Sequence, residues 1–205
     1  MNWDQIKKTS KYGTIGLHSY AHPRLQNLTN EEIIKDTKKA YSTFVRKMGY
    51  KPQIYVYPYG EYDPRVRKVL EENFDFRAIL NQNTGSVTKF TDIKDIPRIA
   101  LTGKSNIEYK LRYKSFNVKW QEPKVFPKNG VLKDIIATVD PKYKKLKLYI
   151  TGEGWQDINV TNGHIDKNIG IYLKKARTRI LLGPDIFTVS NHLINKSNLN
   201  KGVKQ

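Results

Sequence analysis

Residues 14–60 read TIGLHSYAHPRLQNLTNEEIIKDTKKAYSTFVRKMGYKPQIYVYPYG, and this stretch decides the fold class. It begins with a short apolar run, Thr14–Leu17, that predicts a β-strand. Thr29 and Glu32 then form a T-x-x-E capping box, and apolar residues recur at helical spacing after it. A second extended run, Gln53–Tyr57, ends at a proline and a glycine. The order strand, helix, strand predicts a βαβ unit with parallel strands.

The same alternation continues downstream. Asp63–Pro64 is a typical helix start, because aspartate favours the N-cap and proline the first helical position. Phe76–Leu80 is the next predicted strand, and Ile96–Leu101 is another. Repeated βαβ units predict an α/β domain built on a parallel sheet or barrel, in which the active site lies at the C-terminal ends of the strands. His18, Pro58–Gly60 and Asn81 all follow such ends.

The second half of the chain has a different pattern, with short extended runs separated by turn residues and no long amphipathic helix. This pattern is typical of a small β-sandwich. We therefore predict three regions: an α/β domain over residues 1–110, a β-sandwich accessory domain over 111–190, and a flexible basic tail over 191–205. The predicted strands are Tyr113–Trp120, Ile135–Val139, Leu146–Thr151, Asp157–Val160, Thr178–Leu182 and Ile186–Val189.

Composition excludes several classes of protein. The chain has 205 residues and no cysteine, so disulfides, thiol catalysis and Cys-ligated metal sites are excluded. No apolar run is long enough for a transmembrane helix, and no signal peptide is visible at the start. The net charge of +18 favours polyanionic partners such as nucleic acid, anionic lipid or an acidic cell-wall polymer. A Lys-rich, solvated surface is the plainer interpretation of the same charge.

The residues most suggestive of chemistry are His18 and His22. Two neutral imidazoles together with a carboxylate form a typical site for Zn²⁺ or a similar divalent ion, with positions left open for water and substrate. The H-x-x-x-H spacing alone is a weak signal.

Three motifs together resemble the polysaccharide deacetylase (NodB-homology) family. His18–Leu25, HSYAHPRL, resembles the family's histidine motif, and the lead-in from Trp3 to Ile6 is similar to what precedes it there. Tyr57–Tyr62, YPYGEY, resembles the groove-wall motif of deacetylases that act on poly-β-1,6-N-acetylglucosamine. Asp95–Ile99, DIPRI, resembles a late segment of the same group. The resemblance covers roughly residues 1–105, in the family's order and spacing.

The resemblance implies a fold class of α/β: a partial (β/α) deacetylase barrel, followed here by the small all-β sandwich-like domain. It implies metal-dependent N-deacetylation of an N-acetylglucosamine polysaccharide, in which the metal activates water and an aspartate is the general base. His18 and His22 are then metal ligands, for Zn²⁺ first and for Co²⁺, Ni²⁺ or Fe²⁺ as alternatives. Tyr57–Gly60 contacts substrate, the Tyr59 amide faces the oxyanion, and Arg98 positions the catalytic aspartate.

Two features of the family pattern do not occur in this chain. The T-F-D-D motif that supplies the base and the third ligand is absent, and no late general-acid histidine is evident, since His164 and His192 fall in the β-rich part. We therefore expect the chain alone to be inactive, and to dimerise or associate with a segment that supplies the missing motif. Robust acetate release by the chain alone would instead show that another carboxylate, such as Glu61 or Asp63, replaces the missing one.

Two other functions remain open. A non-catalytic carbohydrate-binding envelope protein is the first alternative, and a nucleic-acid binder, suggested by charge alone, is the least favoured. Either carbohydrate function places the protein in the bacterial periplasm, at the cell surface or outside the cell. A set of aromatic residues in the β-rich part could stack on sugars, although core packing is the commoner role. These residues are Trp120, Tyr143, Tyr149, Trp155 and Tyr172.

Overall fold

The computed structural model describes residues 1–197, which divide into two compact units. The N-terminal unit comprises residues 1–81 and 92–96, and the β-rich unit comprises residues 82–91 and 97–197. Each has an apolar core of its own. The units divide between residues 81 and 97, earlier than the change of pattern in the sequence. The domain boundary that we predict near residue 110 therefore stays a prediction, which limited proteolysis would test.

The N-terminal unit contains three α-helices, whose ends follow the capping signals in the sequence, and two short 3-10 helices, Leu25–Asn27 and Pro58–Gly60. The α-helices are α1 (Trp3–Thr9), α2 (Asn30–Met48) and α3 (Pro64–Asn73). At the start of α2, Thr29 accepts a hydrogen bond from the Glu32 amide and the Glu32 side chain accepts one from the Thr29 amide. Gly49 ends α2 in a left-handed conformation with a φ of 81°. The predicted bounds of this helix are confirmed.

The strands of the N-terminal unit are short and parallel. β1 (Ile54–Val56) pairs with β2 (Ala78–Leu80), Leu17 bridges to Tyr55 on one side, and Leu80 bridges to Ile96 on the other. Extended segments thus pair in chain order, with α2 and α3 between the first three of them, which is the arrangement of an arc of a (β/α) barrel. Of the predicted strand Ile96–Leu101, Ile96 forms the β-bridge, and the Arg98 amide donates to Asn83 O at 3.2 Å.

Apolar side chains from the helices and strands fill the core of this unit. α2 buries Ile33, Thr37, Ala40 and Phe44, spaced three or four residues apart. β1 and β2 contribute one fully buried residue each, at the centre of the strand. The core thus packs α2 against the short parallel sheet. The candidate site residues follow the C-terminal ends of the strands of this sheet. The other core residues are Leu17, Leu25, Tyr55, Tyr57, Val66, Val69, Leu70, Phe76 and Ile79.

The β-rich unit is a sandwich of two sheets, as the sequence predicts. It begins with a short helix, α4 (Ile107–Leu111), which the sequence pattern did not reveal. One sheet has the strand order β3-β10-β9-β6-β7 and the other the order β4-β5-β8. The strands are β3 (Lys114–Ser115), β4 (Lys119–Glu122), β5 (Val131–Thr138), β6 (Lys145–Ile150), β7 (Gly154–Asn159), β8 (His164–Tyr172), β9 (Arg177–Gly183) and β10 (Thr188–Asn195).

The core of the sandwich lies between the two sheets. Alternate residues of β5, β6 and β9 point inward, among them Ile135, Leu148 and Ile180, which are fully buried. This period-two pattern was visible in the sequence for these strands. Their neighbour β8 was missed, because its central residues are polar and exposed and a register shift interrupts its pairing with β5.

The chain end differs from the prediction. β10 continues to Asn195 and buries Leu193 and Ile194, so a flexible tail beginning at residue 191 is wrong for this stretch. These two residues supply the apolar contacts that keep the strand in the sheet. The remainder of the predicted tail, residues 198–205, lies outside the described residues. Within residues 1–197, no helix combines the length and the apolar character needed to cross a bilayer.

Candidate active site

The site begins where the first parallel segment of the N-terminal unit ends. The Leu17 amide donates to Ile54 O and its carbonyl accepts from the Val56 amide, each at 2.8 Å. Leu17 is buried, whereas the next residue, His18, is exposed. The backbone pairing of Leu17 therefore positions His18 at the C-terminal end of the parallel sheet, where the pattern predicted it.

The structure brings the two predicted metal ligands together. The Nε2 atoms of His18 and His22 lie 3.0 Å apart, and the ring centroids are separated by 4.7 Å. Two nitrogens bound at about 2.1 Å to one ion, at angles between about 90° and 109°, would be about 3.0 to 3.4 Å apart. The pair therefore fits two coordination positions of a single divalent ion.

A backbone carbonyl sets the protonation of His18. Its Nδ1 lies 2.8 Å from Val56 O, and because a carbonyl oxygen can only accept, Nδ1 holds the hydrogen. In the neutral ring, Nε2 then carries the lone pair, and this atom faces His22 Nε2. A carbonyl behind the distal nitrogen is a common way to orient a ligating imidazole.

Backbone strain is concentrated at the same place. Four residues other than glycine have a positive φ among residues 1–197, and three of them are Ser19 (58°), His22 (53°) and Tyr59 (59°). Left-handed conformations at such residues cost on the order of 1 kcal/mol or more, and they cluster at functional sites. The histidine loop and the Tyr57–Gly60 turn thus form one strained region.

The histidine loop is held in this shape by a helix. The amides of Tyr20 and Ala21 each donate to the Asp36 carboxylate of α2, both at 2.9 Å. Within the loop, the His22 amide donates to Ser19 Oγ at 3.0 Å. Sequence reasoning missed Asp36. The available signal was its position three residues after the core residue Ile33 and one before the core residue Thr37, which places an acid beside the buried face of α2.

The Tyr57–Gly60 turn lies beside the histidines but has mixed exposure. The ring of Tyr59 is 40% exposed and packs against His22 with ring centroids 4.4 Å apart. Tyr57 and Pro58 are instead buried. Tyr57 stacks on Tyr62 at 4.3 Å, and its burial raises the pKa of the hydroxyl. The Tyr57 side chain is therefore enclosed and that of Tyr59 is exposed, and the substrate contact of Tyr57–Gly60 stays a prediction.

An ion pair links the two loops. The Arg24 side chain is 50% exposed and pairs with Glu61, whose side chain is 3% exposed. The Arg24 guanidinium lies 4.4 Å from the centroid of the Tyr59 ring. The hydrogen bond with Glu61 raises the pKa of Arg24. Arg24 thereby clamps Tyr59 between itself and His22. The sequence offered a weak signal for this pair, since Arg24 lies within the histidine motif and Glu61 within the Tyr57–Tyr62 motif.

The described residues do not supply a third metal ligand. No group of three or more His, Asp or Glu side chains within residues 1–197 is arranged to hold an ion. Glu61 is engaged by Arg24, and Asp63 caps α3 by accepting from the Val66 amide at 2.8 Å. Replacement of the missing carboxylate by either residue is therefore not supported by their contacts.

The remaining predicted residues lie in the β-rich unit. Arg98 belongs to it, and its role beside the catalytic carboxylate stays a prediction. His164 is exposed, as expected. His192 is half-buried: it stacks on Trp120 with ring centroids 5.0 Å apart, and its Nε2 lies 2.7 Å from Pro123 O. These contacts give His192 a packing role.

Comparison with known proteins agrees with the geometry. Residues 1–77 match the family model for polysaccharide deacetylase. This stretch is therefore similar to the polysaccharide deacetylase family. The match covers α1 to α3 with both strained loops, and it ends before Arg98. The match supports the interpretation that this part of the chain comes from a hydrolase of this kind. The β-rich unit lies outside the matched residues.

Individual relatives cover less than the whole of their own length. Chitin deacetylase 1 of Cryptococcus neoformans var. grubii is 33% identical over 97 residues, which are 46% of this chain and 21% of that protein. The deacetylase PplD of Streptococcus pyogenes is 16% identical, with 55% of this chain and 50% of that chain covered and a TM-score of 0.49. IcaB from Ammonifex degensii is 21% identical, with 54% and 52% covered and a TM-score of 0.44. The chain thus spans about a fifth of the curated relative and about half of each solved structure.

Proposed function

We propose that this chain contributes the histidine half of the active site of a metal-dependent N-deacetylase acting on an N-acetylglucosamine polysaccharide. The observation on which this rests is the convergence of the His18 and His22 Nε2 atoms beside the strained Tyr59 turn. The deacetylase match over the same residues supports the reaction class. Its motifs are most similar to those of enzymes for poly-β-1,6-N-acetylglucosamine, which we propose as the polymer.

His18 and His22 would hold the ion, and their imidazoles suit Zn²⁺ first, with Co²⁺, Ni²⁺ and Fe²⁺ accepting the same donors. When bound, such an ion polarises an acyl carbonyl and makes water more acidic. The chain's own residues prepare the site for it. Val56 O keeps the His18 Nε2 lone pair available, and Asp36 fixes the loop between the two rings.

Tyr59 is the proposed contact for the reacting acetamido group. Its amide would donate to the oxyanion, and its ring, held between Arg24 and His22, would limit where the sugar can lie. Arg98 would orient the catalytic aspartate by a charge-assisted hydrogen bond. Because its polymer substrate belongs to the envelope, we place the protein in the periplasm, at the cell surface or outside the cell.

The general base and third ligand would come from a carboxylate-bearing segment outside residues 1–197, either in the same polypeptide or in an associated chain. Loss of a general base alone typically reduces the rate about 10²- to 10⁴-fold, and an incomplete ligand set weakens ion binding as well. We therefore expect negligible acetate release by this chain alone. A non-catalytic carbohydrate-binding protein is the second candidate, favoured by the missing third ligand.

Metal binding tests the first half of this proposal. Titration of the 205-residue chain with Co²⁺, followed by its visible absorption, should show one weak site that the His18→Ala and His22→Ala variants each abolish. The His164→Ala variant removes an exposed histidine of the β-rich unit and should leave the titration unchanged. Equal titration of all four proteins would show that the two histidines do not form the site.

Acetate release tests the second half. The chain alone, with Zn²⁺ or Co²⁺ and poly-β-1,6-N-acetylglucosamine oligomers, should give no acetate above background. Supplying a deacetylase segment with the T-F-D-D motif, fused or as a second chain, should give acetate that requires both histidines. Oligomer binding without acetate in the completed protein would favour the non-catalytic candidate.

A further inference from the structure

An aromatic surface lies on the outer face of the five-stranded sheet, in the β-rich unit. Trp155 of β7 pairs directly with Tyr149 of β6, and Tyr149 pairs with Leu181 of β9, so the three side chains form a row across three strands. The rings of Tyr149 and Trp155 are 5.3 Å apart, and Trp155 is 39% exposed. We call this row, together with Arg179, the sheet platform.

The platform residues point away from the sandwich core. Their neighbours Leu148, Ile150, Ile180 and Leu182 are buried in the core, and alternation along each strand directs Tyr149, Arg179 and Leu181 to the opposite face. Of the aromatic residues proposed for sugar stacking, this arrangement selects the pair Tyr149 and Trp155. Trp120 and Tyr143 instead pack against the core.

Arg179 is a half-buried cation with no acidic partner. It lies on β9 diagonally across from Tyr149, and no carboxylate within residues 1–197 forms an ion pair with it. Burial lowers the pKa of Arg179, and the like charge of Arg177 lowers it further. A guanidinium that is partly removed from water and repelled by a neighbour gains stability when an anion reaches it.

The surrounding charge favours an anionic ligand. The described residues of the β-rich unit include 20 Lys and Arg against 8 Asp and Glu. On the platform side of the sheet, Lys145 and Lys147 alternate with the core residues of β6, and one exposed acid, Asp157, pairs with Lys147 at 2.9 Å. A ligand that lies along the row therefore meets an aromatic surface bordered mainly by cations.

We propose that the sheet platform binds an acidic glycan, with one pyranose ring on Trp155 and Tyr149 and the acidic group of a neighbouring sugar on Arg179. Aromatic faces suit the apolar faces of sugar rings, and a guanidinium binds carboxylate or phosphate oxygens through two parallel hydrogen bonds. The same features would suit single-stranded nucleic acid. The glycan is favoured because residues 1–77 are similar to a family that acts on polysaccharides, so the choice of ligand class rests on the proposed function.

Binding is measured with the 205-residue chain as it is, by Trp fluorescence and calorimetry. The probes are an oligogalacturonate, a glycerol-phosphate polymer, neutral chito-oligosaccharides and oligo-dT. We expect the oligogalacturonate or the phosphate polymer to bind at least tenfold more tightly than the neutral oligomer, and which of them binds identifies the acidic group. Equal or tighter binding of oligo-dT, or of the neutral oligomer, would overturn the proposal.

Variants separate the platform from general charge. Trp155→Ala and Arg179→Gln should each weaken binding of the acidic glycan about tenfold or more. The controls are Tyr172→Ala, an aromatic that is 61% exposed on the other sheet, and Lys133→Gln, a cation that is 81% exposed there. If Arg179→Gln proves unstable, the affinity of Trp155→Ala for the acidic glycan is sufficient to test the platform. Unchanged affinity in Trp155→Ala, or equal losses in the controls, would refute the platform.

The His18→Ala variant keeps this test independent of catalysis. It removes a proposed metal ligand in the N-terminal unit, so it should bind the acidic glycan with unchanged affinity. Normal glycan binding with no metal titration would leave the platform standing and refute the proposed active site. Metal binding by the unsubstituted chain without glycan binding would refute the platform and leave the proposed active site standing.

Discussion

The two units of this chain build their structure in different ways. The strands of the N-terminal unit are three residues long, and two further segments pair through single bridges, whereas most strands of the β-rich unit have six to nine residues. In the β-rich unit, runs of backbone hydrogen bonds between neighbouring strands fix the conformation of the backbone. In the N-terminal unit, side chains such as Asp36 and Glu61 hold the loops that continue from the strands. Functional loops thus depend on a few polar contacts, and the sandwich depends on its core.

The largest expected effect is in the sandwich core. Leu148 of β6 is fully buried, so Leu148→Ala should lower the free energy of unfolding of the β-rich unit by about 3 kcal/mol. Trp fluorescence in a Trp3→Phe background would follow this unit through Trp120 and Trp155. Circular dichroism at 222 nm would follow mainly the helices of the N-terminal unit, and its midpoint should not change.

The matched control is Leu111→Ala, since Leu111 is 74% exposed and its truncation should change stability by less than about 0.5 kcal/mol. A parallel shift of both signals in Leu148→Ala would mean that the two units unfold together. The N-terminal unit and the β-rich unit would then differ in structure but not in stability.

The next effect concerns the ion pair that links the loops. Arg24→Ala removes the ion pair of the buried Glu61 carboxylate and should destabilise the N-terminal unit by about 2 kcal/mol. This is below the usual cost for a fully buried pair because water reaches Arg24. Circular dichroism during urea unfolding gives the value.

Two variants sharpen this measurement. The double variant Arg24→Ala, Glu61→Gln should recover part of the loss, because no charge remains buried. Lys68→Ala removes a cation from the exposed Lys68–Glu72 pair and should have an effect below about 0.5 kcal/mol. Equal costs for Arg24→Ala and Lys68→Ala would show that the loop contact does not stabilise the fold.

The smallest effect is local. Asp36→Ala removes the acceptor of the Tyr20 and Ala21 amides, so hydrogen exchange at these two amides should become about tenfold faster or more. The global change should be within about 1 kcal/mol, because alanine favours the helix and offsets part of the loss. Amide exchange followed by NMR measures both.

Asp36→Asn keeps one acceptor oxygen and should give an intermediate exchange rate. Lys35→Ala, at the preceding exposed position of α2, is the control for helix propensity. If exchange at Tyr20 and Ala21 is equally fast in the control, the Asp36 carboxylate does not hold the histidine loop.

The sequence was sufficient to predict those features that depend only on residues close together in the chain. The bounds of α2 follow from the Thr29 capping box and Gly49, and the start of α3 follows from Asp63 and Pro64, because caps act within one helical turn. The pair His18 and His22 was predictable for a similar reason, since both belong to one short loop. Tertiary contacts were needed only to show that their Nε2 atoms converge.

Features that depend on distant partners could not be read from the pattern. β8 has exposed polar residues at its centre, and its place beside β5 is set by pairing across more than 25 positions of the chain. The burial of Tyr57 depends on its stacking against Tyr62, and that of Leu193 on the sheet around β10. Asp36 and Glu61 are polar residues whose roles appear only when the loops that they contact are in place.

The left-handed residues of the histidine loop bear on how quickly an ion would be captured. Ser19 and His22 have positive φ angles, and hydrogen bonds from the Asp36 carboxylate and Ser19 Oγ hold this loop, so the conformational cost is met when the unit folds. Ion binding then needs no slow rearrangement of the backbone. In a stopped-flow experiment we expect a single phase whose rate rises linearly with metal concentration, with no plateau from a preceding isomerisation.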